Sequence, residues 1–153
     1  MFEFTDSREA VHPARFLKDY RGYLQADAYA GFDALYKSGQ ILEVGCWAHA
    51  RRKFFEVTKA QKDPGLANEA MAWIGALYHI ESSVRDRPPD EKLRVRQAQS
   101  VPLLDRCRIW LEGHFPSLLP KSALGEAFGY ALRHWRALVR YTESGVLVPD
   151  NNL

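Results

Sequence analysis

Two short apolar runs, Tyr23–Ala26 and Ile41–Trp47, flank a segment patterned for a helix, and this spacing constrains the fold more than any other feature of the chain. Parallel strands cannot be joined by a tight turn and need a crossover, usually helical. Tyr23-Leu24-Gln25-Ala26 reads as a strand and Phe32 to Lys37 as a short helix stopped by Ser38-Gly39. Ile41 to Trp47 reads as an interior strand, mainly apolar. Upstream, Phe2–Thr5 alternates as a strand does, and Pro13–Tyr20 reads as a helix with Pro13 in its first turn and Gly22 at its end. The first third therefore predicts one sheet holding Phe2–Thr5, Tyr23–Ala26 and Ile41–Cys46, built from βαβ units. In open α/β sheets the ligand crevice lies outside the carboxyl ends of the strands. Asp27, directly after the second strand, is then the first candidate for chemistry. As a residue pattern alone, an Asp before Gly31–Tyr36 is more often a helix cap.

From His49 onward the periodicity turns helical, and by residue count the chain is mainly helix. A first helix runs from His49 to about Gln61. A second, from about Leu66 to Arg87, places Leu66, Ala70, Trp73, Leu77, Ile80 and Val84 at alternating steps of four and three, with Met71, Ile74 and Tyr78 widening the stripe. A third spans about Asp90 to Phe115 and carries Pro102, a source of a kink. A fourth starts at Ser122, a suitable N-cap, and continues to Gly145, with Leu124, Phe128, Leu132, Trp135 and Val139 on one face. Val146-Leu147-Val148 is a short extended segment. Trp73, Leu77, Trp110, Phe128 and Trp135 are the expected core of this helical part.

With 153 residues, 46% hydrophobic and 26% charged, the composition suits one globular domain. No apolar run nears the roughly 20 residues that span a bilayer, and no signal-peptide pattern opens the chain. Cys46 and Cys107 are too few for a disulfide scaffold and read as buried, reduced thiols of a cytosolic protein. Both ends read as cut: the chain opens on a strand and closes on Pro149-Asp150-Asn151-Asn152-Leu153, a polar turn leading toward another element.

Cys46-Trp47-Ala48-His49 has a C-x-x-H spacing, but no second pair completes the four ligands of a structural zinc. No glycine-rich phosphate loop or nucleophile elbow occurs. Arg51-Arg52-Lys53, with His49 nearby, opens a helix just after a strand, which suits backbone phosphates, and Trp47 offers a stacking face beside them. Arg133, Arg136 and Arg140 form a second basic stripe. A net charge of +2 does not itself demand a nucleic-acid partner, and a solvated helix face is the default for either group.

Four segments carry a resemblance. Leu24-Gln25-Ala26-Asp27-Ala28-Tyr29-Ala30-Gly31-Phe32, Glu43-Val44-Gly45-Cys46-Trp47-Ala48-His49-Ala50-Arg51-Arg52-Lys53-Phe54, Leu119-Pro120-Lys121-Ser122 and Asp150-Asn151-Asn152 resemble, in order, the insertion sequence 66 family of bacterial transposases. That resemblance implies a ribonuclease-H-like DDE recombinase, in which two aspartates and a glutamate hold Mg2+ or Mn2+ for DNA strand cleavage and transfer. Asp27 matches the second acidic position and is the implied catalytic and metal-binding residue. The first aspartate would lie upstream of Met1, and the glutamate shortly after Leu153. The implied fold is a partial ribonuclease-H-like α/β core over 1–48, a large helical insertion over 49–145 and a return to the core over 146–153. Implied partners are transposon-end DNA, bound through Trp47, His49, Arg51, Arg52 and Lys53, and further copies or other transposase proteins, in the bacterial cytoplasm and at the nucleoid. With a single matched carboxylate, the chain alone is expected to be inactive. The competing reading is a non-catalytic DNA-binding or protein-interaction module.

Overall fold

A glycine opens the sheet. Gly22, at a φ of 123° that side-chain-bearing residues rarely adopt, turns the chain into β1 (Gly22–Gln25) and donates its N–H to the Gln40 carbonyl at 2.9 Å. After α1 (Asp33–Tyr36) and a turn at Gly39, the chain re-enters alongside as β2 (Ile41–Val44). The strands are parallel, with Gly22 opposite Ile41 and Gln25 opposite Val44. The structure is a computed structural model and describes residues 17–25, 32–63 and 65–150. The strand expected at Phe2–Thr5, most of the helix expected at Pro13–Tyr20, and Asp27 itself lie outside the described residues.

Among the described residues, β2 is followed by the α-helices α2 (Trp47–Ala60), α3 (Leu66–Ser83), α4 (Pro89–Val95), α5 (Val101–His114), α6 (Ala123–Arg133) and α7 (Trp135–Val139). The molecule is thus, over those residues, mainly helical with a small two-stranded parallel sheet. None of these helices is long and apolar enough to cross a membrane.

The expected strand Ile41–Trp47 is corrected at its end. Only Ile41–Val44 pairs as strand, and Trp47 already begins α2, two residues before the expected start. The reason is the neighbour that covers the strand. Gly45 donates its N–H to the Ala137 carbonyl at 2.8 Å, and Arg140 donates to the Glu43 carbonyl, so the end of α7 satisfies the free edge of β2. A Cβ on Gly45 would stand 3.0 Å from the Leu138 nitrogen, so a larger residue would have to push α7 back by a few tenths of an ångström.

The helix expected over Asp90–Phe115 runs without a break from Pro89 to His114 but changes pitch within it. Arg96–Ser100 forms a π-turn, closed by the Val101 N–H reaching back to the Arg96 carbonyl. Pro102 explains it: proline has no N–H to donate and its ring crowds the carbonyl four residues back, here that of Ala98, which the widened turn relieves. The fourth helix is capped as expected, Ser122 Oγ accepting from the Gly125 N–H at 3.0 Å. It breaks at His134, however, and the break turns Trp135 into the core.

That core joins α2, α3, α5, α6 and α7. Trp47 meets Trp135 edge-on with ring centroids 5.8 Å apart, and Phe54 meets Phe128 at 5.6 Å. On α3 the deepest residues are Ala67, Ala70, Ile74 and Leu77. Trp73 and Trp110 flank the core, half-buried, with their rings 6.2 Å apart. Leu77, Phe128 and Trp135 are buried as expected.

Candidate functional site

The carboxyl ends of both strands point toward the start of α2 and the last described residues of the chain. Gln25 ends β1, and its amide Nε2 donates to the Gly45 carbonyl at 3.3 Å and to the Val148 carbonyl at 3.1 Å. Two residues after Gly45, the Trp47 N–H donates to the Pro149 carbonyl, next to Val148, at 2.8 Å. These bonds lay the segment after Gly145 across the ends of the strands. They also consume a backbone donor that the start of a helix otherwise leaves unpaired.

Asp150 comes to this edge as a result. The Tyr78 hydroxyl, from α3, donates to Asp150 Oδ2 at 2.7 Å. Burial, then the bonded Asp150 carboxylate, holds the Tyr78 phenol well above its ordinary range, while the nearby Arg51 guanidinium opposes them. Tyr78 is therefore a neutral donor to the Asp150 side chain. In the sequence, Tyr78 reads only as part of an apolar stripe. The available signal is its hydroxyl, since a tyrosine on a packed helix face needs a polar partner for its tip.

The anticipated DNA-binding cluster is divided by the fold. Trp47 is a core residue, 2% exposed, with its indole Nε1 donating to the Leu138 carbonyl at 2.8 Å. The stacking role expected of it is thus corrected: the ring is buried and in edge contact with Trp135. His49 is half-buried, and Arg51, Arg52 and Lys53 are exposed. Successive helix residues are about 100° apart, so the three cations fan out instead of sharing a face. Arg51 acts electrostatically on Tyr78 at the carboxyl edge and approaches the Phe55 ring at 5.8 Å. Lys53 reaches across to α6, its ammonium 4.8 Å from the Tyr130 ring centroid.

The second stripe divides too. Arg133 and Arg136 are exposed, whereas Arg140 is buried against β2. These arginines line a cleft of about 290 Å³ together with Tyr36 and Glu43. Burial, helped by the Asp33 charge, raises the Glu43 carboxyl above the usual carboxylate range. Both cysteines are buried, and burial pushes the Cys107 thiol up to about 12, which leaves it inert at neutral pH.

Among the described residues no group of three or more His, Cys, Asp or Glu side chains is gathered for a metal ion. Magnesium requires several oxygen ligands in near-octahedral array. The described residues do not by themselves fit such an ion.

Similarity to known proteins identifies the chain. It is 32% identical over 163 residues to the uncharacterized protein y4hP of Sinorhizobium fredii (strain NBRC 101917 / NGR234), covering 97% of this chain and 30% of that protein. It is 30% identical over 156 residues to the uncharacterized protein y4jD of the same organism, covering 98% of this chain and 30% of that one. The chain thus spans about 30% of the length of the curated relatives it matches. No solved structure matches it. The model of the transposase IS66 family, a DDE transposase domain, matches residues 1–153, from end to end, and the chain belongs to that family.

Proposed function

We propose that this chain is the part of a DDE transposase core that carries the second acidic residue, Asp27, and that its parent reaction is metal-dependent cleavage and transfer of transposon-end DNA. In this reading 1–48 is a partial ribonuclease-H-like core, 49–145 a helical insertion and 146–153 the return to the core. The observation that carries the reading is the convergence at the carboxyl edge. Gln25, two residues before Asp27, is bonded to the return segment, and that segment delivers Asp150 to Tyr78 at the same edge. A parallel pair of strands with a ligand edge at its carboxyl ends is the arrangement such chemistry uses.

Asp27 is assigned as catalytic residue and ligand of Mg2+ or Mn2+, an ion that would supply the charge stabilisation of phosphodiester cleavage when bound. DNA contact is assigned to Arg51, Arg52 and Lys53 with His49, and Trp47 supports them from the core. Because one carboxylate cannot set the spacing of two ions, the segment is proposed to cut DNA only within a full-length protein, in a bacterial cytoplasm and together with further copies of itself. The test incubates the isolated chain and a full-length protein containing it with transposon-end duplex and Mg2+. Nicking by the full-length protein alone, abolished by a chelator, is expected. Nicking by the isolated chain, or nicking that survives the chelator, contradicts the proposal.

A further inference from the structure

The helical insertion contains a buried charge pair at the margin of the core, with the Arg96 guanidinium 5.2 Å from the centroid of the buried Tyr141 ring. Arg96 is 1% exposed, and its Nε and Nη2 donate to the two carboxylate oxygens of Glu81, each at 2.8 Å. This is the bidentate geometry in which arginine is held most rigidly. Its remaining nitrogen, Nη1, donates to three carbonyls where the insertion ends and the return segment begins: Tyr141 at 3.1 Å, Ser144 at 2.8 Å and Leu147 at 2.9 Å. The next residue, Gln97, donates to the Thr142 carbonyl at 2.7 Å.

Two further features show how closely the segment is gripped. Arg96 opens the π-turn at Arg96–Ser100 and is, with Ser100, one of its two buried residues. On the other side, a Cβ on Gly145 would overlap the Pro89 carbonyl oxygen, so the turn of the return segment lies directly on the start of α4. A buried ion pair adds little net stability compared with apolar packing. The directed bonds of Arg96 do fix position.

We propose that Arg96, oriented by Glu81, is a positioning residue: it straps residues 141–147, the junction of insertion and return segment, to α3 and the end of α4, and thereby sets Asp150 against Tyr78 at the carboxyl edge. The insertion then acts on the reactive edge through the return segment. This inference rests on the reading of that edge as the reactive one.

The experiment uses a full-length protein containing the chain. Hydrogen exchange is followed on peptides covering 141–150, and strand cleavage is measured under single turnover alongside DNA affinity. Arg96→Lys, which keeps the charge but loses the fork, is expected to speed exchange in 141–150 by about tenfold while α2 and α6 stay protected. Cleavage is expected to fall by about tenfold with DNA affinity unchanged. In an Asp150→Asn background, which itself cleaves poorly, Arg96→Lys is expected to lower cleavage by less than about twofold, because both changes act on one element. If Arg96→Lys does not fold, Arg96→Met with Glu81→Leu removes both charges and keeps the volume filled.

Unchanged exchange overturns the strap. Multiplicative losses in the double variant, or native cleavage by Asp150→Asn, overturn the positioning role. Absence of cleavage by the native protein removes the reading of the edge instead, and the exchange result alone then decides the strap.

Discussion

Replacing Trp47 by phenylalanine separates a core residue from a nucleic-acid contact. The indole donates to the Leu138 carbonyl at 2.8 Å, bridging 91 positions of chain, and the phenyl ring cannot. Loss of a buried hydrogen bond costs about 1 kcal/mol, more where the acceptor stays unpaired. The smaller ring removes about three carbon-sized groups from a site only 2% exposed, which adds about 2 kcal/mol at the usual worth of a buried CH2. The edge-on contact with Trp135 is weakened as well, since its geometry depends on the indole's length. The sum is about 3 kcal/mol, and for a domain of this size the midpoint of thermal unfolding should drop by roughly 6–12 °C. Circular dichroism on heating gives the midpoint, and titration with duplex DNA at fixed salt gives the affinity below it. A midpoint within about 2 °C of the native value, combined with a clear loss of DNA affinity, would refute the burial argument.

Other outcomes follow from the same geometry. Gly75→Ala, at a position on α3 where an added Cβ meets nothing within 4 Å, should raise stability by about 0.5–1 kcal/mol, while Gly145→Ala, aimed at the Pro89 carbonyl, should lower it; chemical denaturation compares the two. Ser122→Ala should cost about 1 kcal/mol by removing the cap of α6, measured the same way. His134 has its basicity lowered by burial and then by Arg133, so the folded state disfavours its protonated form. Stability tied to it is full above the ordinary histidine value of about 6.5 and is lost as pH falls toward the depressed one, so His134→Asn should flatten the acid side of the stability profile. Changing Arg51, Arg52 and Lys53 to Ala should reduce the salt slope of DNA binding by about 0.9 for each phosphate no longer neutralised, and an unchanged slope would return the triplet to a solvated face.

What the chain reveals by itself, and what it hides, divides by distance along it. The parallel pairing of β1 and β2 is legible because Gly22, Gly39 and two apolar runs are local signals. So is the cap at Ser122, which needs only the three residues after it. Trp47 reads as strand because an apolar residue continues an apolar run, while the helix end that covers it lies at Leu138. Pro102 announces a distortion without revealing that the π-turn buries an arginine. Arg96 resembles any exposed helix cation until Glu81 and the carbonyls of 141–147 surround it. The bond between Tyr78 and Asp150 spans 72 positions and belongs to the tertiary fold alone.

The central claim is that chemistry resides at the carboxyl edge of the sheet and that Asp27 carries it. The direct measurement is strand cleavage of transposon-end DNA by a full-length protein bearing Asp27→Asn, with DNA affinity and thermal stability recorded on the same sample. The account predicts cleavage lost by about a thousandfold or more, with affinity and stability held, because an amide replaces a metal-binding carboxylate at nearly constant shape. Cleavage at the native rate by Asp27→Asn would contradict it.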